Sequence, residues 1–171
     1  MHNFDSRAFY TKWIQDIVGA QIEETGYVPN GAPWQPGCGG GVAWGAAINI
    51  MPWEYFVHYG DTSFLSYTYD AMKGYVRYML TWTDKDGIMN SQREGNNGQP
   101  LRWFNLGDWC APEELPPDPM VHTFYLWRCA DFTSKAAKVL GFTNEANEYS
   151  ALAEKTRQAF LKRYFDQEKG T

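Results

Sequence analysis

The sequence predicts an all-α fold, and three observations carry that prediction. Apolar residues recur at helical spacing over five separate stretches, while period-two alternation of the kind that marks a strand is almost absent. Two junctions, Gly60-Asp61-Thr62 and Gly141-Phe142-Thr143, each set a stop glycine just before a capping residue, which is the chemistry of a tight turn between antiparallel helices. The remaining connections are long and rich in Trp, Gly and Pro. Short turns at one end and elaborate loops at the other describe an α/α-toroid whose loop end forms a pocket, although a plain helical bundle also fits the pattern.

The first helix is expected over 5–24, with Asp5 as its N-cap. Phe9, Trp13, Ile17 and Ala20 form one stripe, and Tyr10, Ile14, Val18 and Ile22 lie one step round, so a wide face should be buried. Tyr27 to Val42 then makes a loop with three prolines and five glycines. Loops longer than about 12 residues tend to be functional. A helix over 43–59 carries Pro52, which should kink or restart it, and Gly60 ends it.

Asp61 and Thr62 cap a helix over 62–83, with Leu65, Tyr69, Met72, Val76, Met79 and Leu80 inward. Asp84 to Gln99 is polar and glycine-rich, at most a short hairpin. Asp118 caps a helix over 119–140 with Val121, Tyr125, Cys129, Phe132, Ala136, Val139 and Leu140 inward, closed by Gly141. Thr143 caps the last helix, 143–164, whose stripe is Tyr149, Leu152, Thr156, Phe160 and Tyr164.

The stretch Leu101 to Pro119 stands apart. Gly107 and four prolines exclude a helix, yet it holds Trp103 and Trp109 among the carboxylates Asp108, Glu113, Glu114 and Asp118. Loops are usually polar because their backbone groups stay near water. A loop that carries tryptophan is either tucked against a core or shaped to hold something flat and apolar. Sugars present such faces, with CH groups on one side and hydroxyls round the edge.

Composition narrows the function classes. At 171 residues the chain reads as a single domain, 1–171, with a sizeable core. A net charge of −5 with no basic cluster argues against a nucleic-acid partner. No apolar run approaches the ~20 residues needed to span a bilayer, and the start lacks the basic-then-apolar order of a signal peptide. Eight Trp, 11 Tyr and 10 Phe exceed what most domains need; carbohydrate-active proteins use such rings, and so does a dense helical core. Cys38, Cys110 and Cys129 are too few and scattered for a disulfide framework, and no histidine sits at zinc-ligand spacing from them. Cys129 falls on an apolar helix face, while Cys38 and Cys110 lie in the two Gly/Pro-rich loops. No motif for a metal or cofactor is present, so none is expected.

Five segments, in order, resemble a known family. NFDSRAFYTKWIQDI, GYVPNGAP, the WG…PW run from Trp44 to Trp53, YGD at 59–61 and LGDWC at 106–110 are similar to the catalytic domain of bacterial α-L-rhamnosidases of glycoside hydrolase family 78. The resemblance covers nearly the whole chain. It implies an (α/α)6 barrel, of whose twelve helices this chain would supply about five, and hence a central slice with open helix faces covered by the rest of a parent chain or by an oligomer. It also implies cleavage of terminal α-L-rhamnose with inversion, which takes a general acid and a general base about 6.5–9.5 Å apart. In the family both are glutamates, one upstream of the first helix here and one downstream of the last, so neither catalytic motif falls within this sequence. What the resemblance leaves here is an aromatic sugar-binding wall. Trp44 matches one wall position, Trp109 and Trp103 two more, with Asp108 set to accept sugar hydroxyls. Family members often carry Asp or Ser where this sequence has Ala46.

Glu113 and Glu114 are adjacent loop residues that rarely aim at one point, and the resemblance gives them no role. Asp70 reads as a structural partner, and His58 and His122 as helix-surface or hydrogen-bonded structural groups. Tyr75, Tyr78 and Trp127 read as core and helix-contact surface. Two functions stay open: a segment of an inverting α-L-rhamnosidase acting on rhamnosides, or a non-catalytic carbohydrate-binding or scaffold helical domain.

Overall fold

A computed structural model of the chain describes residues 4–33, 41–90, 114, 116–166 and 168–169. Among them the regular elements are all helical: α1 (Arg7–Ala20), α2 (Val42–Gly45), α3 (Ala47–Tyr59), α4 (Thr62–Leu80), α5 (Asp118–Leu140) and α6 (Thr143–Tyr164). Of the hairpin expected after α4, the described residues show one isolated antiparallel bridge, Thr83 to Met89, with the Asp84 N–H donating to the Ile88 carbonyl at 2.9 Å.

The two short turns follow the chemistry read from the sequence. Gly60 ends α3 in the left-handed region at φ 68°, and the Asp61 carboxylate then accepts from the Ser63 and Phe64 amides at 3.1 and 3.2 Å. Those bonds, with the Ser63 hydroxyl foremost, hold the Asp61 carboxyl below its usual range. At the other turn Gly141 takes φ 82°, and the Phe142 amide reaches back to the Ala137 carbonyl at 2.9 Å. That six-to-one bond is the Schellman closure, which satisfies a carbonyl the helix itself leaves bare. Phe142 lies against the Tyr69 ring, with centroids 5.3 Å apart, so the turn is also fastened to α4.

Both turns sit at one end of the molecule. Leu65 and Tyr69, early in α4, share a core cluster with Ala136 and Ala137 late in α5 and Ala146 early in α6. A larger cluster at the opposite end joins Val28, Val42, Tyr75, Met79, Trp82, Met89 and Leu126. The described ends of the long connections, at Val28, Val42 and Met89, lie in this cluster, as the α/α-toroid expectation requires.

A buried asparagine links three helices between these clusters. The Asn49 amide donates to the Met72 carbonyl and to the Thr133 hydroxyl, both at 3.0 Å. Each bond is local in space but distant in sequence, so it fixes the register of α3 against α4 and α5.

Several local expectations are corrected. Helix α1 stops at Ala20, and Ser6 rather than Asp5 occupies its N-cap; the Asp5 carboxylate instead accepts from the Arg7 amide at 3.3 Å. Of the double stripe, Ile14 and Ile17 are buried while Phe9 is 64% exposed. Pro52 does not restart a helix: α3 runs through it, and the break falls at Ala46. Helix α4 ends at Leu80, which is exposed, because the Thr81 and Thr83 hydroxyls take the Tyr78 and Met79 carbonyls and lead the chain into a turn. Val139 is likewise outward. Pro117 and Phe142 occupy the N-cap positions of α5 and α6, leaving Asp118 and Thr143 as first helical residues.

Candidate functional site

A cavity of about 590 Å³ opens at the loop end. Four pieces of chain line it. Helix α1 contributes Trp13 and Ile17, the segment after it Val28, Pro29, Asn30 and Ala32, the α2–α3 region Ala43, Trp44 and Ala47, and the start of α5 Pro116, Val121 and Tyr125.

Close backbone contact at two glycines holds the second piece in place. Gly26 has φ +79°, and a Cβ there would lie 2.1 Å from the Gly74 carbonyl oxygen of α4. Only a residue without a side chain permits that approach. The Gln21 amide locks the contact by donating to the Gly26 carbonyl at 3.0 Å and to the Ala71 carbonyl at 3.1 Å. The chain therefore leaves α1, docks on α4 and enters the cavity wall as Val28-Pro29-Asn30. The Asn30 side chain then accepts from the Gly41 amide and ties the wall segment to the base of α2.

Helix α2 is one turn long, and its residues divide sharply. Val42 and Ala46 are fully buried, whereas Trp44 is 37% exposed at the cavity. Burial on one side sends the indole to the other. Trp13 and Tyr125 are partly buried against the large cluster and add two further rings to the lining.

None of the described lining residues is charged; Asn30, Tyr125 and the indole N–H groups of Trp13 and Trp44 carry its polar side-chain atoms. Such a surface suits contact with a flat, partly apolar ligand bearing hydroxyls. Among the described lining residues there is no carboxylate to move a proton. Among the described residues there is no group of three or more His, Cys, Asp or Glu placed to hold a metal ion. None of the helices is long and apolar enough to cross a membrane.

Of the four sequence-predicted site residues, Trp44 lines this cavity. Trp103, Asp108 and Trp109 lie outside the described residues. So do Cys38, Cys110 and Glu113, while Glu114 is exposed and forms no part of the lining. Trp13 and Tyr125 were read from the sequence as members of core stripes; their ring types were visible, but their partner across the cavity was not. His122 is fully buried, which removes the surface alternative for it, and His58 lies edge-on to Tyr59 with centroids 4.7 Å apart. Asp70 does pair with Lys73, at 3.0 Å on the surface. Cys129 is buried, and burial pushes its thiol well above the ordinary range, so it stays protonated as a core group.

Helical hairpins turned tightly at one end and opening at the other on an aromatic cavity define a segment of an α/α-toroid of the six-hairpin glycosidase class. The model of the bacterial alpha-L-rhamnosidase 6 hairpin glycosidase domain matches residues 1–171, and the chain belongs to that family. An α-L-rhamnosidase of Streptomyces avermitilis is 29% identical over 95% of the chain, and one of Formosa agariphila 30% identical over 96%. The chain spans 14% and 17% of these two relatives. Among solved structures, the Streptomyces avermitilis alpha-L-rhamnosidase complexed with L-rhamnose superposes with a TM-score of 0.81 at 26% identity, over 95% of this chain and 14% of that one. The alpha-L-rhamnosidase from Dictyoglumus thermophilum gives 0.78 at 30% identity, over 96% and 18%.

Proposed function

We propose that this chain is the central part of the catalytic domain of an inverting α-L-rhamnosidase, and that it supplies the aromatic wall of the sugar pocket. Family membership, together with the place of Trp44 at the mouth of an uncharged aromatic cavity, supports this reading. A pyranose has one face of axial CH groups that stacks on an indole, and its hydroxyls meet the cavity's few polar atoms. The general acid and general base come from polypeptide before and after this segment, as the resemblance implies. Catalysis in such an arrangement divides by segment: the flanks protonate the leaving oxygen and activate water, while this one orients the ring between them. Trp103, Trp109 and Asp108 complete the wall in this proposal, from the loop that precedes α5.

The test is Trp44→Ala in the full-length enzyme, assayed on p-nitrophenyl α-L-rhamnoside. Loss of one stacking ring should raise KM about tenfold, with kcat less affected and the melting temperature little changed. An unchanged KM would remove Trp44 from the sugar site and leave the non-catalytic scaffold reading.

A further inference from the structure

Resting on that reading of Trp44, we infer that Tyr75 is a positioning residue for the sugar site: its buried hydroxyl sets the direction in which the Trp44 indole faces the cavity. The argument begins with α2, which has four residues and a single turn. A helix that short does not sustain itself, since nucleation costs more than one turn of hydrogen bonds returns. Its direction must be imposed from outside, and the structure shows where. The Tyr75 hydroxyl, on α4, donates to the Val42 carbonyl at 3.1 Å. The same oxygen lies 2.2 Å from the point a Cβ on residue 45 would occupy, with ring atoms at 2.5 and 2.8 Å. Tyr75 therefore touches the backbone of α2 on both sides of Trp44, by a hydrogen bond before it and by close contact after it.

Two further observations make this a specific device rather than general core contact. Tyr75 is 1% exposed, so its hydroxyl has been taken wholly out of water and directed at one acceptor. Burial pushes it well above the ordinary tyrosine range, so it remains a neutral donor throughout the pH range in which a glycosidase is assayed. The Val42 carbonyl also accepts from the Ala46 amide at 3.0 Å, the bond that closes the α2 turn. One carbonyl thus joins the turn's own closure to the α4 anchor. Ala46 joins α2 to α3, its carbonyl accepting from the Ile50 amide at 3.0 Å, and the Tyr75 anchor holds the other end of the turn. Glycine at 45 follows from the same geometry: any side chain there would push α2 off Tyr75 and turn the indole with it.

The experiment is a double-mutant cycle in the full-length enzyme with Tyr75→Phe and Trp44→Ala, reading KM and kcat on p-nitrophenyl α-L-rhamnoside well below the melting temperature. Tyr75→Phe keeps the ring and removes the anchor. It should raise KM roughly three- to tenfold, the range spanned by loss of one buried hydrogen bond, with kcat nearly unchanged. In the Trp44→Ala background the same change should have no effect on KM, because the group it positions is gone. Equal effects in both backgrounds, or a lowered melting temperature with KM unchanged, would reduce Tyr75 to a structural role and overturn the inference. If Trp44→Ala alone leaves KM unchanged, the sugar-wall reading itself fails and the inference falls with it. Should Tyr75→Phe not fold, Gly45→Ala displaces α2 from the other side and is read in the same cycle, with L-rhamnose binding followed by indole fluorescence as a measure independent of turnover.

Discussion

Replacing Gly26 by alanine tests how the cavity wall is docked, and three glycines together separate the physical causes. Gly26 combines a left-handed backbone at φ +79° with a backbone obstruction 2.1 Å from any added Cβ. Gly60 shares the left-handed backbone at φ +68° but has nothing within 4 Å, and Gly19, exposed near the end of α1, also has nothing within 4 Å. Alanine in the left-handed region costs about 1–2 kcal/mol, and the reduced freedom of the unfolded chain returns about 0.4–1 kcal/mol. Gly60→Ala should therefore cost about 1 kcal/mol. At Gly26 the Cβ must move more than an ångström to reach ordinary contact with the Gly74 carbonyl, and forced overpacking adds about 1–3 kcal/mol, for a net loss of about 3 kcal/mol. Gly19→Ala should stabilise slightly, by up to ~1 kcal/mol, through helix propensity. Urea unfolding of the purified protein measures all three. With a slope of about 2 kcal/mol per molar, Gly26→Ala lowers the midpoint by about 1.5 M and Gly60→Ala by about 0.5 M. Equal midpoints for these two variants would show that the segment after α1 does not lie against Gly74, and the account of the cavity wall would fail with it.

Three further outcomes are expected. The Glu145 carboxylate accepts from the Tyr69 hydroxyl at 2.6 Å and from Lys73 at 3.3 Å; these bonds, Tyr69 foremost, hold its carboxyl below the ordinary 4.5. The stability it contributes is present above that value and lost as pH falls through the lower folded one. Glu145→Gln should therefore flatten the acid limb of a melting-temperature profile, and an unaltered limb would refute the assignment. Asn49→Asp should destabilise by about 3 kcal/mol or more at neutral pH, because a buried carboxylate accepts but cannot donate to the Met72 carbonyl. That deficit should shrink toward acid pH, whereas Asn49→Ala melts should show none of this dependence. The isolated 171-residue chain should show no turnover of p-nitrophenyl α-L-rhamnoside, since losing a general acid or base costs about 10²–10⁴-fold each; turnover by the purified chain would place catalytic carboxylates within it.

Much of the candidate site was written in residue types, yet only part of it was legible. Trp44 was legible through the resemblance, because the WG motif that follows a long Gly/Pro-rich loop matches a wall position of the family. Trp13 and Tyr125 were not, because periodicity tells which face of a helix is apolar without telling whether that face meets a core or a cavity. Trp103, Asp108 and Trp109 remain with the proposal, since they fall outside the described residues.

The sequence by itself determined what local chemistry controls. The helical type of each stretch, the stop glycines Gly60 and Gly141 and the Asp61 cap all follow from residues within a few positions of one another. Tertiary structure decided the rest. The helix break falls at Ala46 and not at Pro52, which stays inside α3 with its ring buried. Gly26 and Gly45 look like loop and helix-start glycines, but their requirement comes from Gly74 and Tyr75, dozens of residues away. Phe9 completes an apolar stripe and is nonetheless exposed, because periodicity marks an apolar face without supplying a neighbour to cover it. A sequence records what each residue can bury; only the folded chain supplies the surface it is buried against.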